Sequence, residues 1–468
     1  MKALKYLVIT SVIAAGLTGS ASAANTLVKI HLVGAPAFRQ PVNDAIETVV
    51  ESFGSAAGLT ASGSAIPAAG HRLVGSTTES AKANQWLIPN FVPGSIDLEI
   101  NASYTGSTAG VESVAGQSKS QKFIADGTGT VALPLGSQSV ATVISPDNNW
   151  ITNSDTFQAS TLFNQTQTFY GAASHGSPFT ANYQTLTADL GNNPGGVEVY
   201  HWVVGPGAPS RFSNITTAQA NLLYSAGSLP LSFFTGNNSD EGTTVYALSR
   251  DAGSGARTIA LAEIGLQPAG TNAPIVSYVP TISTTGVLDS AGDVIGGTIT
   301  AINQAPAGQV PSTGIYEPLG DTGYASFGAA TNGGSTADSS TSANNYGLLQ
   351  AITATPPAGA IFVTYLDNDD TNEALQNGAG QTPTGARVLS YNGVTASLVD
   401  GPDDPVVAEG AYTFWSYESF LAPASQSSTS ASFEALVEAQ FPQFSALPEA
   451  DLNVNRSADG GPLSQGGL

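Results

Sequence analysis

The sequence predicts an α/β fold with largely parallel sheets, and three observations predict it. β-rich runs alternate with helical runs along most of the chain. Three strand-to-helix junctions are turns rich in Gly, Ser or Thr. A fourth strand, "VEVYHWVVG", is followed by a capped helical run, "TTAQANLLYSAG".

The elements follow in order. "LVKIHLV" reads as a strand, "GAPAFRQP" as a turn, and "VNDAIETVVESF" as an amphipathic helix with apolar residues at 42, 45, 46, 49 and 50. "IDLEINASY", "TGSTAG" and "VESVAGQSKSQKFI" repeat that strand–turn–helix order. A third strand enters "YALSRDAGSG" and leaves as the helix "ARTIALAEIG". "GAIFVTYL" and "GAYTFWSYESFL" are later strands, and "ASFEALVEAQF" is a terminal helix. Turns of this kind aim helix N-termini at a common cleft. Residues 267–320 alternate short β runs with turns, and 328–345 are low-complexity loop. Both read as insertions.

Composition narrows the function classes. "MKALKYLVITSVIAAGLTGSASA" places Lys2 and Lys5 before an apolar run and ends in an A-x-A site, so residues 1–23 read as a cleavable secretory signal peptide. The remaining chain of about 445 residues suggests two or three domains. No later run is long and apolar enough to span a bilayer, so the mature chain is expected to be soluble, not membrane-embedded, in the periplasm or outside the cell. The absence of cysteine removes disulfides, thiolate metal sites and a lipidated N-terminal cysteine. A formal net charge of −22 excludes nucleic-acid binding by counterion release. It also means that an anion must be held by local, dehydrated contacts.

The stretch "LSRDAGSGARTIA", 248–260, concentrates Arg250, Asp251, Ser254 and Arg257 in a chain with 13 Lys and Arg. A nucleophile elbow needs G-x-S-x-G, but Ala252 and Ala256 take the outer positions. His31, His71, His175 and His201 all precede Ser254, against the order serine, acid, histidine of that fold. Neither GxxxxGK[ST] nor GxGxxG occurs at the three turns, the histidines lack zinc spacing, and no cofactor is implied. "DNDDTNEA", 367–374, has the acid density of a calcium loop without its glycine or spacing and reads as a solvated turn. An oxyanion cradle fits better. Hydroxyls and N–H groups at helix N-termini bind anions without net charge, and Arg250 can add a bidentate contact. The plain alternatives are chance Gly-Ser turns and a structural Arg250–Asp251 pair.

"GAPAFRQPVNDAI", "YTGSTAGVESV" and "SRDAGSGARTIALAE" together resemble the three ligand turns of PstS-like phosphate-binding proteins of ABC transporters. "VEVYHWVVG" resembles the strand that carries that family's chain into its second domain. The resemblance implies the two-domain type II periplasmic-binding-protein fold, with a cleft between domains and loop-rich insertions. It implies domain I from 24–200 and 370–468, domain II from 201–369, and a hinge near Val204 and Asp367. It implies reversible capture of phosphate or a related oxyanion, without catalysis, for an ABC-transporter permease. The implied ligand set is Ala37, Phe38, Ser107, Asp155, Arg250, Ser254, Gly255, Ala256 and Arg257. Asp155, from the Ser154-Asp155 pair, would accept the ligand's own proton and so favour hydrogen phosphate over sulfate.

The chain departs from the family pattern at four places in these turns. Ala37 and Ala256 stand where a hydroxyl residue is usual, each a lost donor worth roughly 1.5–3 kcal/mol to a charged ligand. Arg39 replaces a proline, and Arg257 adds a cation; they compensate, or suit a larger phosphorylated or sulfated ligand, or Arg257 is a solvated helix position. Two other classes stay open. One is a secreted or surface protein that uses the fold without transport; the other is a phosphate or sulfate ester hydrolase.

Overall fold

The computed structural model describes residues 25–53, 70–74, 83–116, 119–124, 140–145, 147–171, 178–188, 196–266, 274–283, 286–289, 293–310, 314–325, 347–376, 382–398, 404–444, 447 and 451–465. The leader at 1–23, the low-complexity stretch at 328–345 and His175 lie outside the described residues.

The elements that position the site begin with β1 (Thr26–Gly34), α1 (Arg39–Phe53), β2 (Gly70–Val74), β3 (Ala83–Val92), β4 (Ile96–Tyr104) and α2 (Ser107–Ala115). β5 (Trp150–Ser154), β6 (Leu186–Ala188), β7 (Gly196–Val204), α3 (Thr217–Ala226), β8 (Ser228–Pro230), β9 (Thr244–Ala247) and α4 (Gly255–Glu263) follow. The chain continues with α5 (Leu348–Thr353), β10 (Ala360–Asp367), α6 (Asn368–Leu375), β11 (Arg387–Tyr391), β12 (Trp415–Pro423) and α7 (Ser428–Gln440).

Among the described residues one sheet of 13 strands has the order β8-β9-β10-β7-β12-β5-β1-β4-β3-β2, with β6 joined to β12, β11 to β7, and the short strand Asn214–Ile215 to β11. β1 is parallel to β4 and β5, and β9 to β10; most of the other pairings are antiparallel. The fold class is therefore α/β as expected, but the sheet is mixed rather than largely parallel. The cause is local at one end: three residues join β3 to β4, with Gly94 at φ +70°, so β4 must return antiparallel. At the middle, β7 changes partners along its length. Gly196–Val199 pair with β12, and Tyr200–Val204 pair with β10.

The predicted periodicities have the expected burial. In α1, Val42, Ala45, Ile46, Val49 and Val50 are buried against β3, β4 and α7. Each of the valines and the isoleucine contributes about 1.5–3 kcal/mol on full burial. α3 opens with a capping box in which Thr216 and Gln219 satisfy each other's backbone N–H. Around β7 a second core gathers Tyr200, Trp202, Tyr224, Tyr365, Phe414 and Trp415. The 267–320 insertion consists of short antiparallel pairs where described, such as 281–282 with 299–301 and 308–309 with 316–317.

Two expectations fail. The helix expected over 111–124 ends at Ala115, because Gly116 turns to extended backbone (φ −66°, ψ 153°), and 119–124 form a strand paired with 140–145. The solvated turn at 367–374 is instead α6: Asp367 caps it by accepting from Asp370 N–H, and Asp369 and Asp370 complement the helix dipole. No helix among the described residues is long and apolar enough to cross a membrane.

The C-terminal segment is tied to this frame by Arg456. Its guanidinium donates to Trp415 O (3.0 Å) and Thr413 O (2.6 Å), lies 4.0 Å over the Trp415 ring, and sits 3.6 Å from Glu263. Removing one partner of a buried pair strands the other charge. Arg456→Ala is expected to lower unfolding free energy by about 3–5 kcal/mol in urea titration; a change below about 1 kcal/mol would show that the segment is peripheral.

Candidate functional site

Glycine decides how closely the three turns approach. Gly106, at φ +126°, precedes α2 and donates to Gly34 O at 2.9 Å, which joins the second turn to the first. A Cβ on Gly110 would lie 2.9 Å from Gly34 Cα, and one on Gly106 would lie 2.6 Å from Gly253 O. Ala109 N–H also donates to Gly253 O at 3.4 Å, and the Thr108 and Thr258 hydroxyls meet at 3.4 Å. The N-termini of α2 and α4 are thus in direct contact.

Asp155 sits where they meet. A Cβ on Gly255 would fall 1.7 Å from Asp155 Oδ1 and 2.8 Å from Ser107 Cβ. Asp155 is buried, and its Oδ2 accepts from Tyr200 O–H at 3.0 Å. The Ser107 hydroxyl lies beside the carboxyl, yet Oδ1 is left without a well-formed hydrogen bond. Burial pushes its pKa up, while the Ser107 and Tyr200 hydroxyls and the Arg250 charge pull it down. Ser254 caps α4 by accepting from Arg257 N–H, whereas α2 has no side-chain cap. First-turn N–H groups have no intrahelical acceptor, so the two termini present a set of donors to one point.

Arg250 is buried and oriented by backbone carbonyls, donating from Nε to Tyr324 O (3.0 Å) and from Nη2 to Ala325 O (2.9 Å). Its own N–H donates to Tyr365 O–H at 3.2 Å. The charge is felt by Asp155, Asp251, Asp367 and Asp370. The plain Arg250–Asp251 pairing is therefore one of four such attractions.

The first turn is joined less directly. Phe38 packs into the core against Phe441, with ring centroids 6.3 Å apart, and Ala37 is half-buried beside it. Ala35 N–H donates to Asn153 O at 3.0 Å, which fixes this turn to the end of β5. Ala256 is buried on α4, with its side chain in the core around β7. Arg257 is not the solvated position of the plain alternative: it is buried, donates to Asp321 Oδ1 (2.8 Å) and Arg250 O (3.3 Å), and lies 3.8 Å from Glu317. Two buried carboxyls need a cation there, so Arg257 supports the third turn from beneath.

Sequence reasoning missed Tyr200, Asn153 and Glu418. Asn153 Nδ2 donates to Ala35 O and Glu418 Oε1, each at 3.3 Å. No local motif marks these three, because strand pairing alone brings them to the turns. Among the described residues, no group of three or more His, Asp or Glu side chains is arranged to hold a metal ion.

No family model and no curated protein matches the chain. Solved structures that resemble it include an ABC-type phosphate transport receptor from Vibrio cholerae, 10% identical, covering 89% of this chain and 98% of that one with a TM-score of 0.36. PstS from Borrelia burgdorferi is 9% identical and covers 88% of this chain and 96% of its own, with a TM-score of 0.31. At these values the fold and the site rest on the geometry above.

Gly255 carries the closest of these contacts. Gly255→Ala is expected to cost about 1–3 kcal/mol in urea denaturation, through the forced displacement of Asp155. Gly242, where a Cβ meets nothing within 4 Å, serves as the control. Equal midpoints for the two alanine variants would contradict the packing described.

Proposed function

We propose that the chain is an exported solute-binding protein that captures phosphate, or a closely related protonated oxyanion, between the N-termini of α2 and α4. The observation that carries this reading is their convergence on the Asp155 carboxyl beside Arg250. Donors from Ser107, Ser254, Gly255 and Ala256 would hold the anionic oxygens, together with the Phe38 N–H of the first turn and Arg250. Asp155 is an acceptor when ionised, so it requires a ligand oxygen that carries a proton. Arg257 keeps the third turn in place, and Ala37 contributes no donor beyond its backbone.

The two halves of the sheet meet along β7 and β12, which makes these strands the hinge for closure over a ligand. On this reading the return crossing would fall at β12, since β11 still pairs with Trp202–Val204. Delivery to an ABC-transporter permease and a periplasmic or secreted location follow from the motif resemblance and the leader.

One observation favours a second reading. The chain's own carboxylate already lies against the N-terminus of α4, so the cradle can serve structure without a ligand. That would fit a secreted or surface protein with no transport role.

Calorimetric titration separates the two. Inorganic phosphate is expected to bind, with sulfate at least about tenfold weaker because it brings no proton. Arg250→Gln is expected to weaken phosphate binding by about 10- to 100-fold, from the loss of charge-assisted hydrogen bonds of about 1.5–3 kcal/mol. Absence of heat with phosphate, sulfate and a phosphate monoester alike would favour the second reading.

A further inference from the structure

Glu418 lies at the middle of β12, fully buried, with Gly196 of β7 opposite it on one side. On the other side, β12 runs antiparallel to β5, with Phe420 against Asn153 and Ser419 against Ser154. β5 ends at Ser154, so Asp155 is the first residue beyond the Ser154–Ser419 pair and Glu418 is its counterpart on β12. The Asn153 Nδ2 contact to Glu418 Oε1 at 3.3 Å places the Glu418 side chain on the Asn153 face of the sheet. Among the described residues Glu418 Oε2 has no hydrogen-bond partner, and Glu418 senses the charge of Asp155.

We propose that Asp155 and Glu418 form one proton-sharing pair beneath the anion cradle, and that Glu418 determines which protonation state of the site admits the ligand. The proposal rests on the phosphate-binding reading for its ligand, and on the strand register for its geometry. Two buried carboxyls, one of which senses the other's charge, cannot both ionise at little cost. Tyr200 O–H and the Ser107 hydroxyl favour the charge on Asp155. Glu418, held among the described residues by Asn153, keeps the proton.

The pair then carries one negative charge, which leaves Asp155 free to accept from the ligand. Loss of the second proton would set two negative charges against an incoming anion. The other ionisable groups around the pair are Glu198 and Tyr200 on β7, Tyr104 on β4, and Arg250 before α4. The tyrosines stay neutral, because burial and nearby acids hold their phenols well above the ordinary range. Arg250 is the cation that acts on Asp155.

The sign is fixed by the direction of the Glu418 shift, well above the ordinary carboxylate value because of burial. Phosphate affinity should fall as pH rises through the titration of the pair. The test measures phosphate affinity by calorimetry from about pH 6 to about pH 9 in the wild type, Glu418→Gln, Asp155→Asn and the double variant. Dividing wild-type by variant affinity at each pH cancels the titration of phosphate itself. Glu418→Gln is expected to flatten the decline and to bind phosphate at least about tenfold more tightly than wild type at the alkaline end. Asp155→Asn and the double variant should share that flattened profile, since either change breaks the pair.

A Glu418→Gln profile parallel to wild type, or slopes that simply add, would overturn the proposal. Where Glu418→Gln does not fold, the Asp155→Asn slope decides in the same way. Where the wild type binds no phosphate at any pH, the function reading falls, and infrared spectroscopy decides the pair separately. A protonated-carboxyl band at neutral pH that weakens in Glu418→Gln supports the pair; an unchanged band overturns it.

Discussion

The approach of one helix N-terminus to one buried carboxylate organises this protein. Asp155 Oδ1 occupies the space a side chain at 255 would need, so α4 can meet the end of β5 only with glycine there. Three further close passages around that contact are also made by glycine. Gly34 passes Asn153, Gly106 passes Gly253, and Gly110 passes Gly34. These positions hold α2 and α4 tip to tip, which turns two ordinary sets of orphan N–H groups into a single concentration of donors.

Placing charge in such a site requires supports that reach well beyond it. Arg250 is aimed by two carbonyls from the segment at 324–325, and that segment is braced in turn by the Arg257–Asp321 pair. Arg257 also holds the Arg250 carbonyl, so the third turn is fixed from below by the residue three positions into its own helix. The end of the insertion and the residues just after it therefore bear on the site: Glu317 lies within it, and Asp321 and Tyr324 follow it, facing the buried cations Arg257 and Arg250.

Much of this was legible in the chain, and the reasons divide cleanly. Strand–turn–helix order and apolar spacing are local properties, and β1, α1, β4, α3 and the start of α4 follow from them. The turn residues Ser107, Ser254 and Gly255 and the acid Asp155 were legible because each lies within a few residues of a recognisable junction. Strand order was not, because the partners of β7 come from segments far apart in sequence. Tyr200, Asn153 and Glu418 stayed hidden for that reason. Arg257 stayed hidden because its carboxyl partners lie 60 and 64 positions later. α6 was missed because an acid-rich run reads as solvent-exposed, whereas here Asp367 and Asp370 are drawn inside by the cap and by Arg250.

In a strongly acidic chain, the proposed capture of an anion needs the backbone N–H groups of two helix N-termini, rather than surface charge, to hold it. Amide proton–nitrogen NMR during a phosphate titration tests it most directly. The Ser107, Gly255 and Ala256 amide resonances should move downfield together and saturate at the same phosphate concentration. Phosphate-dependent shifts confined to exposed lysines and arginines, with those three amides unmoved, would contradict the account.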